Sequence, residues 1–129
     1  MARPPPLSPH LEIYKLPLTA VLSFSHRLTG VMLVLGLMMI ALVLLLAVGW
    51  PQGFTSVQQG LISAPGQILF WLFIYALFFH LCHGVRHLLW DSLQGFEAHR
   101  QLNIGVFQIG VSIFLTLITY TFGQPDMAP

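Results

Sequence analysis

Charged residues are scarce in this sequence, and their scarcity decides the class of the protein. Aspartate, glutamate, lysine and arginine make up 7% of the 129 residues, whereas hydrophobic residues make up 56%. An ordinary soluble domain carries about 25% charged residues, so this chain cannot cover a folded surface well enough to stay in water. The composition therefore predicts one integral membrane domain over residues 1–129, with the lipid bilayer as its surroundings and no nucleic-acid partner.

The sequence has only one cysteine and no recognisable cleavable targeting signal. The single cysteine, Cys82, excludes an internal disulfide and any metal site built from several cysteines. The start of the chain, MARPPPLSPHLEIYK, is rich in proline and has no short apolar core followed by a small-residue cleavage site. We therefore expect no cleavable signal peptide, and we interpret residues 1–16 as an N-terminal arm.

Three apolar runs are long enough to cross a membrane as helices. About 20 apolar residues cross a hydrocarbon core of about 30 Å, and the runs cover about residues 28–50, 68–90 and 104–122. The first and third runs have no charge, whereas the second contains histidines and an arginine. Breakers and polar residues separate the runs. The sequence therefore predicts an all-α integral membrane protein with three transmembrane helices.

The basic residues all lie on one side of this arrangement. They are Arg3, Lys15, Arg27, Arg86 and Arg100. The connection over residues 51–67 and the tail over residues 123–129 have none. Because lysine and arginine accumulate on the cytoplasmic side, the N-terminus is predicted to be cytoplasmic and the C-terminus to lie across the membrane.

A polar face precedes the first apolar run. Pro17 suits the first position of a helix, so the first helix is expected to begin there. Thr19, Ser23 and Arg27 follow at i, i+4 and i+8 and share one face, with His26 beside them. Hydroxyl and guanidinium donors at the membrane edge suit a ligand with a polar head and an apolar tail. The alternative is that His26 and Arg27 only anchor the helix at the membrane edge.

Three histidines share one face of the second run. His80, His83 and His87 follow at i, i+3 and i+7, and Gly84 on the same side leaves room for a flat cofactor. Imidazole is a common metal ligand, and ionisable groups inside a span are usually functional. Zinc fits less well, because no carboxylate or second cysteine shares the depth. The pattern favours a haem, and structural hydrogen bonding between helices is the alternative.

Depth in the membrane separates these residues. At about 1.5 Å per residue from the end of the span, His80 lies about 15 Å inside and His87 about 5 Å. We therefore predict that His80 is the axial ligand of the haem iron. His87 and Arg86 lie near the cytoplasmic edge, level with His26 and Arg27, where the propionates would be.

Two questions stay open at this point. His83 has an intermediate depth and is either a hydrogen-bonding neighbour or a helix-contact residue. A second axial ligand is also needed: His26 is too shallow, His10 and His99 lie outside the spans, and the third run has no histidine. The second ligand is therefore expected from another polypeptide.

Two stretches resemble the cytochrome b subunit that anchors succinate dehydrogenase, respiratory complex II. The first is SHRLTG (residues 25–30), preceded by LSPHLEIYKLPLTAVLS, and the second is HGVRHLLWD (residues 83–91). With three spans at matching separations, the resemblance covers nearly the whole chain. It implies a helical bundle that binds haem b together with a second anchor subunit.

The resemblance also implies residue roles. His80, four residues before the glycine, corresponds to the axial haem ligand, and Ser23 and Arg27 correspond to ubiquinone-site residues. Residues expected near the cofactor are His26, Arg27, Gly84, Arg86 and His87. Asp91 lies beside the pocket, pairs with Arg86, or is simply a charge at a helix end. Two departures from the family pattern are RPPPLSP, where the family usually has RPLSP, and His83, where the family usually has a small, polar or apolar residue.

The resemblance further implies a division of labour. A flavoprotein would oxidise succinate, an iron–sulfur protein would pass on the electrons, and this chain with a second membrane subunit would hold haem b and ubiquinone. No catalysis is expected from this chain alone. The expected location is a bacterial inner membrane, in preference to the mitochondrial inner membrane. An anchor of fumarate reductase, or a non-redox scaffold or transporter, is the alternative function.

Overall fold

The described part of the chain is almost entirely helical. The computed structural model describes the backbone of residues 15–92 and 98–123, and the side chains of residues 15–90 and 103–123. These ranges form four helices: α1 (Leu18–Gly49), α2 (Pro51–Ile62), α3 (Ala64–Ser92) and α4 (Ala98–Gly123), with no strand among the described residues. The predicted all-α class is confirmed, and residues 1–14 of the expected arm lie outside the described residues.

Three of the helices are long and apolar enough to cross a membrane. The candidate spans are Leu18–Gly49, Ala64–Trp90 and Asn103–Gly123. Helix α1 begins directly after Pro17, one residue later than expected. Its 32 residues reach about 48 Å at about 1.5 Å per residue, more than the hydrocarbon core of about 30 Å. Helix α1 is therefore longer than the apolar layer is thick.

The connection between α1 and α3 contains the helix α2, which the sequence did not indicate. Pro51 occupies the start of α2, where its missing N–H sacrifices no hydrogen bond. The Trp50 indole donates to Oε1 of Gln52 at 3.1 Å, and its ring covers Gly53, where any side chain would overlap it. Twelve residues reach about 18 Å, which is too short to cross the membrane.

A tight corner joins α2 to α3. The Ser63 hydroxyl donates to the Gly60 oxygen at 2.5 Å and accepts from the Gly66 N–H at 3.4 Å, as a residue capping the start of a helix does. A side chain at Gly66 would overlap the Gly60 backbone, so this corner requires glycine.

Helix α3 is central, since it packs against α1, α2 and α4, and α1 also contacts α4. The buried side chains are largely polar: His83, Arg86, Gln108 and Ser112 accompany Leu22, Ala76 and Phe79. The outside carries large apolar residues such as Leu45 and Leu88, each 70% exposed. Apolar groups outside and polar groups inside suit a protein surrounded by lipid. The chain is a multi-pass integral membrane protein.

Candidate functional site

His80 lies on α3 and contacts the backbone of α1. Its Nδ1 is 3.2 Å from the backbone oxygen of His26 and 3.2 Å from Oγ1 of Thr29. Because a carbonyl oxygen only accepts hydrogen bonds, the His80 Nδ1 must carry the hydrogen and donate it. The bare lone pair of the neutral ring is then on Nε2, the atom that is left to bind a metal.

A glycine permits this close approach. A Cβ at Gly30 would lie 3.0 Å from Cε1 of His80, tighter than such contacts normally are. The Thr29 hydroxyl donates to the His26 oxygen at 2.9 Å, so it joins the same small network. Three residues of the SHRLTG stretch therefore form the support on which the His80 ring rests.

Four imidazole rings lie together between α1 and α3. The His26 ring stacks on His80 with 4.0 Å between centroids and on His83 with 4.5 Å between centroids. His87 meets His83 edge-on at 4.8 Å. His83 is buried and His87 is exposed, so the cluster runs from the interior to the surface. The structure thus brings together the histidines that the sequence placed on two separate helices.

A compact metal ion does not fit this cluster as it stands. The candidate ligand atoms of His26, His83 and His87 lie within 4.8 Å of one another. A tetrahedral zinc ion with Zn–N bonds of about 2.0–2.1 Å needs its nitrogens about 3.3 Å apart. Zinc would therefore require the stacked rings to move.

A haem fits the described residues better. Gly84, one turn from His80, is half-buried, and a Cβ there would meet no atom within 4 Å, so the space beside the helix is open. The His26 Nε2 is buried and has no hydrogen-bond partner among the described residues. A buried nitrogen without a hydrogen-bond partner could form that hydrogen bond with a polar group of a cofactor.

A second polar group lies on the other side of α3, against α4. Oε1 of Gln108 is 3.2 Å from Nδ1 of His83 and 3.4 Å from NH1 of Arg86. The Ser112 hydroxyl, one turn further along α4, donates to the Gln108 backbone oxygen at 2.8 Å. These four side chains are each at most 4% exposed. They form a polar layer inside the bundle.

Arg86 belongs to this layer rather than to the imidazole cluster. Its guanidinium carbon lies 4.2 Å from the centre of the Trp90 ring. The neighbouring Gly105 of α4 leaves room for Leu22 of α1, since a Cβ there would be 2.8 Å from Cδ1 of Leu22. The proposed role of Arg86 near a propionate stays a prediction. The side chain of Asp91 lies outside the described residues, so its three alternatives stay open.

Ser23 and Arg27 lie one turn apart near the start of α1. Ser23 is half-buried and Arg27 is exposed. Within the part of the chain whose side chains are described, neither makes a hydrogen bond. Both polar groups are therefore available to a ligand that approaches from outside the chain.

Comparison with known proteins agrees with this arrangement. Residues 1–119 match the family described as succinate dehydrogenase/fumarate reductase transmembrane subunit. The chain belongs to this family. It is 37% identical over 114 residues to the succinate dehydrogenase cytochrome b556 subunit of Paracoccus denitrificans, covering 88% of each chain.

Mitochondrial relatives are similar to the chain too. A cytochrome b560 subunit of Reclinomonas americana is 36% identical over 121 residues, which are 89% of this chain and 83% of that protein. The human mitochondrial b560 subunit is 29% identical over 124 residues, which are 95% of this chain and 70% of that protein. The family expected from SHRLTG and HGVRHLLWD is thereby confirmed.

Sequence reasoning missed Gln108. A single amide in an apolar run does not by itself indicate a site. The signal that could have identified Gln108 is its i, i+4 spacing with Ser112, which puts two polar side chains on one face of the third run. His99 was expected in a loop, whereas α4 begins at Ala98, so His99 belongs to the first turn of that helix.

Proposed function

We propose that this chain is the membrane-anchor cytochrome b subunit of a succinate:quinone oxidoreductase in a bacterial inner membrane. The contact between Nδ1 of His80 and the backbone oxygen of His26 carries the proposal, because it prepares Nε2 of His80 for iron. The Paracoccus and Reclinomonas relatives are named as cytochrome b subunits of succinate dehydrogenase, and the proposal extends that role to this chain.

The residues that would hold haem b come from α1 and α3. His80 would supply one ligand to the iron. A second anchor subunit would supply the other, because His26 stacks flat on the His80 ring, with 4.0 Å between centroids, and so does not face it across an iron. His26, Arg27, Arg86 and His87 serve the propionate edge, and Gly84 leaves room for the ring. When bound, haem b supplies one-electron redox chemistry at its iron.

The ubiquinone site is assigned to the polar face of α1. The Ser23 hydroxyl donates a hydrogen bond to a quinone carbonyl. Arg27 stabilises the negative charge that develops on the quinone oxygen as electrons arrive, an electrostatic effect that is strong in a poorly hydrated site. The ring of the quinone lies at the membrane edge and its apolar tail lies in lipid.

The chain acts as one part of a larger enzyme. A flavoprotein subunit oxidises succinate, an iron–sulfur subunit passes the electrons to the membrane, and the two anchor subunits receive them. This chain alone catalyses nothing in this scheme. An anchor of fumarate reductase is the second candidate, because the description of the matched family includes that enzyme. The relatives compared above carry the name of succinate dehydrogenase, and their names favour succinate oxidation.

A difference absorbance spectrum of the purified complex, reduced minus oxidised, tests the haem assignment. The wild-type complex is expected to show a b-type haem band. His80→Ala is expected to abolish or displace that band because the ligand atom is lost, whereas His83→Ala leaves the band largely intact. A complex without any b-type band refutes the haem proposal, and the reverse pattern in the two variants means that His83 is the ligand.

A further inference from the structure

Among the described side chains, helix α4 places no histidine in the imidazole cluster, yet it reaches the cluster through one amide. Gln108 is 4% exposed, and its Oε1 meets both His83 and Arg86 of α3. His83 is in turn 1% exposed, whereas His26 and His80 are half-buried and His87 is exposed. The function proposed above assigns nothing to Gln108 or His83.

The chemistry of Arg86 fixes which atoms face each other. A guanidinium only donates hydrogen bonds, so the amide atom that faces NH1 of Arg86 is the oxygen of Gln108 and not its nitrogen. His83 Nδ1 lies 3.2 Å from that same oxygen. Nδ1 of His83 therefore carries a hydrogen and donates it, so the amide fixes both the tautomer and the orientation of the His83 ring.

The ring of His83, held in this way, lies against two other histidines of the cluster. His26 stacks on it, with 4.5 Å between centroids and 28° between planes. His87 packs its edge against it, with 4.8 Å between centroids and 65° between planes. On the other side Phe79 limits its movement, at 6.1 Å between centroids. Any rotation of His83 would therefore displace His26 and His87.

We propose that Gln108 and His83 are positioning residues of the haem site. Gln108 holds the His83 ring in place, and the ring holds His26 and His87 in the orientation in which they serve the propionate edge. The inference rests on the proposed haem function. Helix α4 then contributes to the haem site through Gln108, although its sequence has no charge within the span and no histidine beyond its first turn.

Electrostatics predict the direction in which the midpoint potential of the haem changes when His83 is no longer held in place. N–H groups that hold a carboxylate offset its negative charge, and losing them leaves more negative charge near the iron. Negative charge favours the oxidised, more positive iron, so the midpoint potential of the haem should fall. A loosened His83 should therefore lower the potential while the axial ligand, and with it the absorbance band, is retained.

Two substitutions break the same hydrogen bond from opposite ends. Gln108→Met keeps the length of the side chain but removes the acceptor, and His83→Phe keeps a flat ring but removes the donor. Ser112→Ala is the matched control, because Ser112 is fully buried on the same helix but donates only to the backbone of α4. Each variant is purified as the whole complex, and its haem content and midpoint potential are measured by redox titration.

We expect both variants to keep their haem and to have a lower midpoint potential than the wild type and the Ser112→Ala control. The double variant should show a shift no larger than that of the stronger single variant, because Gln108 acts through His83. Unchanged potentials overturn the inference. Additive shifts also overturn it, since Gln108 would then act through Arg86.

The experiment separates this inference from the function on which it rests. If the wild-type complex holds no haem b, the proposed function fails and the inference fails with it. If the wild type holds haem b and the variants titrate like the wild type, only the inference fails. Should Gln108→Met not assemble, His83→Phe against Ser112→Ala still decides the question.

Discussion

Ser23 and Arg27 lie where a substitution can be made without disturbing the packing of the protein. They lie one turn apart on α1, half-buried and exposed respectively, and away from the buried core. Ser23→Ala and Arg27→Leu should therefore leave the fold intact while weakening contact with the quinone.

We expect both substitutions to lower the rate of quinone reduction at least tenfold, since each removes a hydrogen bond or charge that acts on the developing oxyanion. Succinate oxidation with an artificial dye as acceptor should persist, because that reaction avoids the membrane site. Steady-state assays of the purified complex with both acceptors provide the measurement. Normal quinone turnover in both variants would refute the assignment.

At the residue scale, the sequence predicted which histidines belong together but not what holds them. Spacing placed His80, His83 and His87 on one face of a helix, and depth distinguished His80. The partner of His83 could not be predicted, because it depends on which face of α4 turns towards α3. That choice is made by packing between helices and leaves no periodic signal in a run that is apolar nearly all round.

At the scale of the helices, Gly36 is a second small residue, after Gly30, at the contact between α1 and α3. Gly36 is buried, and a side chain there would overlap the ring of Phe73. Small residues allow transmembrane helices to approach closely, which is the main source of their packing.

Gly36→Leu should therefore separate α1 from α3 and destabilise the complex by about 1–3 kcal/mol, the usual cost of overfilling a packed interface. Loss of the assembled complex on heating in detergent gives the measurement. Adding Phe73→Ala should restore much of the stability, because leucine then occupies the volume of the ring.

Gly49→Leu is the matched control, since a Cβ at Gly49 meets no atom within 4 Å. It should behave like the wild type. Equal stability of Gly36→Leu and Gly49→Leu would show that the contact is unimportant for the packing of α1.

The sequence predicted the spanning helices well, because length and hydropathy decide them directly. It missed α2, whose proline and glycines indicated a break rather than a helix. Here Pro51 starts the helix and Gly53 makes room for Trp50, so residues that usually interrupt structure instead fit a particular corner. Whether a proline or glycine starts a helix or interrupts it depends here on the residues that surround it in the fold and not on the local sequence pattern.

At the scale of the whole molecule, three spans and one short helix determine where the ends lie. Because α2 is too short to cross the membrane, an odd number of crossings puts the termini on opposite sides. The distribution of basic residues then predicts that the N-terminus is cytoplasmic.

Reporter fusions in a bacterial host test this orientation. A fluorescent protein at the N-terminus should be bright, and alkaline phosphatase at the C-terminus should be active, because it needs the periplasm. Phosphatase inserted within α2 should be active as well. A bright fluorescent protein at the C-terminus would contradict the orientation.

The oxygen of Gln108 also has a consequence for how the chain enters lipid. Helix α3 alone would bring His83 and Arg86 into the membrane without that acceptor, and ionisable groups within a span make insertion less favourable. The acceptor lies 22 residues beyond Arg86 and is synthesised later. We therefore expect helices α3 and α4 to enter the membrane as one unit.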